Sequence, residues 1–140
     1  MFQFLFSPQG RVSRKAMWLG YILPYIGIAI VASGVDYAIR MGGQGLFSIL
    51  VGLFYIWPSI AVTIKRFHDR DMTGWWVLWS TLLLCVTAGG AAVGAVQSNI
   101  LVSVIFGVLA LIVSLYFFII LYILGGTEGD NKYGQDPRQA

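Results

Sequence analysis

Four long apolar stretches, Ala16 to Ile39, Leu46 to Ile64, Trp75 to Val96 and Ile100 to Leu124, alternate with short polar ones along the chain. Each is near or above the roughly 20 residues that a helix needs to cross a hydrocarbon core about 30 Å thick. The pattern predicts an all-α integral membrane protein. Its four transmembrane helices form a bundle with short loops, and a single domain covers 1–140, with a lip over 1–15, a loop over 65–74 and a tail over 125–140. The lip begins Met1-Phe2-Gln3-Phe4-Leu5-Phe6, which is uncharged, aromatic and too short to span, so it should rest at the interface. Ser13 is placed to cap the first spanning helix. Pro24 removes one of that helix's hydrogen bonds and should bend it. Asp36 and Arg40, four apart, can face each other at its far end, and Trp57 sits where an interfacial aromatic is expected.

Small residues predict how the helices pack. Gly90 and Gly94 form a GxxxG spacing in the third span. In the fourth, Ser103, Gly107, Ala110 and Ser114 recur at intervals of four, three and four, which puts them on one stripe. Small side chains let two backbones approach closely, so the third and fourth spans should form a tight antiparallel hairpin across Gln97-Ser98-Asn99.

Composition sharpens the class. Hydrophobic residues make up 58% of the chain and charged ones 11%, against about 25% charged in an ordinary soluble domain, and mean hydropathy is +0.78. No stretch is left over for a separate soluble domain. The net charge of +3 comes from basic residues that flank apolar spans, which excludes a nucleic-acid surface and points to the lipid bilayer, with anionic phospholipid as partner. The single cysteine, Cys85, lies inside a span and cannot form an intrachain disulfide. Eight of the nine Lys and Arg residues fall on the side shared by the N-terminal flank, the second loop and the tail, and only Arg40 falls opposite. The excess places both termini and the 65–74 loop in the cytoplasm.

That loop gathers charge. Lys65, Arg66, Asp69, Arg70 and Asp71 are five of the chain's fifteen charged residues, and the only histidine, His68, sits among them. Three polar segments, Gly10-Arg11-Val12-Ser13-Arg14 with Trp18, Lys65 to Trp76, and Gly129-Asp130-Asn131-Lys132-Tyr133-Gly134-Gln135-Asp136-Pro137, together resemble a family of small bacterial inner-membrane proteins, domain-of-unknown-function family eight hundred and five. Where that family has Arg-Arg-Leu-His-Asp and then Ser-Gly-Trp-Trp, this chain has Lys65, Phe67 and Thr73 at three of the places. The resemblance implies a polytopic protein of the bacterial inner (plasma) membrane and brings no assigned reaction.

With four spans, all three segments share one aqueous side and can meet. Arg11, Arg14, Arg66, His68, Asp69, Arg70, Trp75, Trp76, Asp130, Asn131 and Tyr133 are therefore the candidates for a ligand site or a structural clasp. As a clasp, the arginines pair with Asp69, Asp71, Glu128, Asp130 or Asp136 and pin the lip, loop and tail together. As a site, Arg66 and Arg70 on one helical face hold the phosphate of an anionic lipid while Trp75 and Trp76 lie at headgroup level. Catalysis would need His68 with Asp69, but no nucleophile has an evident partner. Glu128 to Lys132 imitates the start of a calcium loop, and Lys132 occupies what should be an oxygen-ligand position. No catalytic residue, metal site or cofactor is therefore assigned. The spans carry no charge at their centres, which argues against an ion-coupled carrier. The expected role is non-enzymatic, binding or scaffolding, with a homo-oligomer or another membrane protein as possible partner. The alternatives are a membrane-embedded enzyme using His68 and Asp69, or an oligomeric transporter or pore.

Overall fold

The computed structural model describes residues 2–39 and 45–138. Its architecture is helical throughout, and among the described residues the only β-type pairing is a bridge between Asn131 and Gly134 in the tail. A short α1 (Phe2–Phe6) precedes four long helices, α2 (Arg14–Ala38), α3 (Leu46–Asp69), α4 (Trp76–Val96) and α5 (Ile100–Ile123), each long and apolar enough to cross a membrane. Asp36 lies in α2, but its expected partner Arg40 falls outside the described residues. The Asp36 carboxylate accepts the N–H groups of Phe47 and Ser48 and the Ser48 hydroxyl, at 2.7 to 2.9 Å, and so caps the start of α3.

Each turn has a local cause. Ser13 caps α2, its hydroxyl accepting the Ala16 N–H. Before Pro24 the helix widens to a π turn over Trp18–Ile22, in which the Leu23 N–H reaches the Trp18 carbonyl. The wider turn takes up the defect that proline forces on the helix. Helix α3 runs five residues beyond its expected end at Ile64, so half of the charged segment is helical and not loop. It stops in a Schellman turn, with Met72 N–H to Phe67 O and Asp71 N–H to His68 O, and Asp71 taking the left-handed position at φ 58°. The same motif ends α4, with Asn99 N–H to Gly94 O and Ser98 at φ 55°; the Asn99 side chain then caps α5 by accepting the Val102 N–H.

The α4–α5 hairpin is the most closely packed helix pair, and α3 and α4 touch sparingly. A Cβ on Gly90 would run into the Phe106 ring, and one on Gly94 would lie 2.6 Å from the Ser103 backbone nitrogen. Ser103 also donates its hydroxyl proton to Ala91 O at 3.3 Å. Of the other small residues, Gly107 has open space where a Cβ would stand, Ala110 is half-buried and Ser114 is exposed. The contact face of α5 instead carries Phe106, Val113 and Phe117, so an aromatic ring fills the notch at Gly90.

The buried core is not at mid-span. It lies where the N-terminal lip, the α3–α4 turn and the tail converge, as two clusters: Phe67 with Phe117, Ile120 and Leu121, and Val12 with Met17 and Val62. Most mid-span apolar side chains face outward, as lipid tails allow, since hydrocarbon solvates them as well as protein does.

Candidate functional site

Five consecutive residues at the end of α3 reach different partners because a helix turns about 100° per residue. Lys65 points to the lip, where its Nζ donates to the carbonyls of Gln3 and Phe4 at 2.9 and 2.7 Å, with the Phe4 ring beside it. One turn into α2, Gly20 leaves room for that same ring. Trp57, two turns earlier on α3, donates its indole N–H to Phe6 O at 2.9 Å. The lip is thus a docked helix, held at two points along α3. Phe67 enters the apolar core. Arg66 and Asp69, three apart, turn inward.

Arg66 is fully buried. Its Nε donates to Leu121 O at 2.7 Å, one terminal nitrogen to Asp69 Oδ2 and more distantly to Val12 O, and the other to Leu124 O. Asp69 takes a second guanidinium on its other oxygen: Arg11 Nε and Nη2 lie 3.2 and 3.1 Å from Oδ1. The Arg11 and Asp69 side chains are 1% and 4% exposed, so a carboxylate flanked by two arginines sits almost wholly out of water.

The tail closes over this triad. Arg11 also donates to the carbonyls of Thr127 and Gly129, at 2.7 and 2.6 Å. Thr127 N–H returns a bond to Asp69 O at 2.8 Å. Gly126 lies directly on the Asp69 carboxylate, where any Cβ would collide with both oxygens. Arg14 donates to Ile123 O, Arg70 to Gly125 O and Arg138 to Thr127 O. Every described arginine therefore donates to a main-chain carbonyl between Leu121 and Gly129. For Arg14, Arg66 and Arg70 the reason lies in α5, which ends in a second π turn over Ile119–Ile123 and an extended Leu124, leaving carbonyls without helical partners, while Arg11 and Arg138 take carbonyls of the tail beyond it. Arginine at a helix C-terminus also offsets the negative end of its dipole.

His68 and the far tail form the outer layer. The imidazole Nδ1 lies 3.2 Å from Gly10 O, which can only accept, so Nδ1 carries the proton. Its ring stacks on Tyr133, with centroids 3.8 Å apart and planes within 4°. Asn131 donates to His68 O, and Asp130 accepts the Asp136 N–H. Asp136 is buried and accepts from Gly129 N–H, from the backbone and Nε of Arg138, and from its Nη2. The Arg138 side chain first, then its backbone N–H, hold the Asp136 carboxyl well below the usual carboxylate range. The unfolded tail regains its proton near pH 4 and the folded one only at lower pH, so acidification through that window favours the unfolded tail. The protection of the Gly129 amide, taken as its exchange rate relative to an unstructured peptide at the same pH, should fall as pH drops from 5 towards 2, and Asp136→Asn should remove most of that dependence.

The candidate residues thus separate by depth. Arg11, Arg66 and Asp69 are inside, while His68, Asn131 and Tyr133 lie between. Arg70, expected to share a face with Arg66, instead caps α3, because the helix stops at Asp69; its Nε is buried without a partner among the described residues. Trp75 and Trp76 are exposed at the start of α4. Of the acidic residues considered for pairing, Asp71 meets only Lys132, at 3.6 Å on the surface. Lys65, Gly126 and Thr127, absent from the candidates, are integral to the arrangement; Lys65 was visible as part of the charged loop, and for Gly126 and Thr127 the Gly125-Gly126 pair directly after a span was the one sequence signal. Among the described residues no three His, Cys, Asp or Glu side chains gather as a metal site would require.

Residues 5–135 match the family model described as "Protein of unknown function (DUF805)". The chain belongs to this family. It is 32% identical over 145 residues to the uncharacterized protein YiiR of Escherichia coli, covering 97% of this chain and 89% of the relative. It is 29% identical over 133 residues to the inner membrane protein YhaH of the same organism, covering 93% and 86%. No solved structure matches it. The match takes in most of the lip, the α3–α4 turn and the tail as far as Gln135, so the first two polar segments and all of the third but Asp136 and Pro137 fall within the family's extent.

Proposed function

We propose that this protein is a non-enzymatic binding or scaffold protein of the bacterial inner membrane, a four-helix bundle with both termini in the cytoplasm, whose cytoplasmic face engages anionic lipid headgroups. The observation that carries the reading is the division of charge by depth. Arg11, Arg66 and Asp69 bind one another and the main chain, and His68 is held between Gly10 and Tyr133, so the groups best suited to chemistry are engaged in holding the polypeptide. What remains on the outside is basic in excess, with Arg14, Lys15, Lys132 and Arg138 exposed against Asp71, Glu128 and Asp130, and Trp75 and Trp76 are exposed at the start of α4. Exposed cations with interfacial tryptophan suit an anionic membrane surface. The location is also supported by the relative named as an inner membrane protein and by the basic excess on the side of the termini.

The test is the lipid that leaves the membrane with the protein. Gently extracted protein should carry anionic phospholipid enriched over the bulk membrane, and thiol labelling of a cysteine placed at Gln135 should occur only from the cytoplasm. A co-purified lipid mixture equal to bulk, or a tail labelled from outside, would contradict the reading.

A further inference from the structure

A polar cavity of about 380 Å³ opens between the start of α2 and the tail, lined by Ser13, Arg14, Lys15, Asp69, Gly126 and Arg138 among others. We propose that this cavity is a binding site for a phosphate group, carried by a phospholipid headgroup or by a soluble phosphate. The proposal rests on the headgroup reading above and gives it a location.

Three cationic side chains line the cavity, and each keeps donors in reserve. Arg14 uses one terminal nitrogen on Ile123 O, leaving Nε and the other terminal nitrogen open. Arg138 uses Nε and Nη2, leaving Nη1. Lys15 has no partner among the described residues and is exposed. Ser13 accepts the Ala16 N–H through its oxygen, so its hydroxyl proton is free to donate. The N–H groups of Gly125 and Gly126 likewise make no bond to another described residue. Asp69, the acidic group in the wall, does not repel an anion strongly, because Arg11 and Arg66 already neutralise it from behind. Within this neighbourhood five cations, Arg11, Arg14, Lys15, Arg66 and Arg138, face three carboxylates, Asp69, Asp136 and Glu128, the last acting on Arg138. A phosphate brings several acceptor oxygens and one or two negative charges, which match such a donor set. The cavity also lies at the head of a span, where a headgroup phosphate resides.

The experiment uses the full chain in nanodiscs of zwitterionic lipid, with and without phosphatidylglycerol. Retained lipid is read by native mass spectrometry, and inorganic phosphate is titrated in the zwitterionic discs by phosphorus NMR. Wild type and Lys15→Arg should hold phosphatidylglycerol, Lys15→Gln should bind it about tenfold or more weakly, and Lys132→Gln, the same charge change at an exposed site away from the cavity, should match wild type. Equal weakening in Lys15→Gln and Lys132→Gln would mean diffuse attraction and overturn the cavity while leaving the headgroup reading standing. Phosphate binding that depends on Lys15, with no lipid retained by any variant, would support the cavity with a soluble source and sink the headgroup reading. Binding of neither probe would overturn both.

Discussion

Replacing Asp69 with alanine should destabilise the protein more than any other single change in its polar end. The variant leaves the Arg66 and Arg11 guanidiniums buried beside each other without their shared counter-charge, and stranded buried charges of this kind cost about 3–5 kcal/mol. Neither arginine can escape to water by a simple rotation, since Arg66 is tied to Leu121 and Leu124 and Arg11 to Thr127 and Gly129. The loss should appear as a lowered unfolding midpoint in detergent micelles. Asp71→Ala provides the contrast: it removes an equally charged residue two positions on, whose partner Lys132 is 54% exposed, and should shift stability by less than about 1 kcal/mol. Similar midpoints for the two variants would show that Asp69 is not buried between two cations.

Gly126→Ala should have the next largest effect, for a steric reason. The added methyl would occupy the place of the Asp69 carboxylate, which three N–H contacts from Arg11 and Arg66 hold on its far side. Either the carboxylate gives up those contacts or the tail lifts away, and forced overpacking of this kind costs about 1–3 kcal/mol. The neighbouring Gly125→Ala meets open space and should be close to neutral. The pair of variants therefore separates a requirement for close approach from a general sensitivity of the turn. Equal effects at the two positions would contradict the contact with Asp69.

The four spans were legible because their signal is strong and local: about twenty apolar residues bounded by charge admit few other readings. The extent of α3 was not, since Lys65 to Asp69 reads as a polar break until each side chain is given its own direction around a helix. The convergence of lip, loop and tail followed from counting spans, but the partners did not. A sequence displays carboxylates as partners for arginine, whereas here Arg14 and Arg70 bind carbonyls that are free only because α5 ends in a π turn and an extended Leu124. Main-chain acceptors have no sequence signature. Gly126 is a related case, since its need to be glycine arises from the position of a side chain 57 residues earlier.

The Arg11–Asp69–Arg66 triad holds the tail on the helix ends, and amide hydrogen exchange over residues 126–138 tests this most directly, in wild type and Asp69→Ala reconstituted in nanodiscs. The wild-type tail should be protected, with Thr127 slowest because its N–H bonds Asp69 O, and Asp69→Ala should lose that protection while the α4–α5 hairpin keeps its own. A wild-type tail that exchanges as fast as an unstructured peptide would contradict the account.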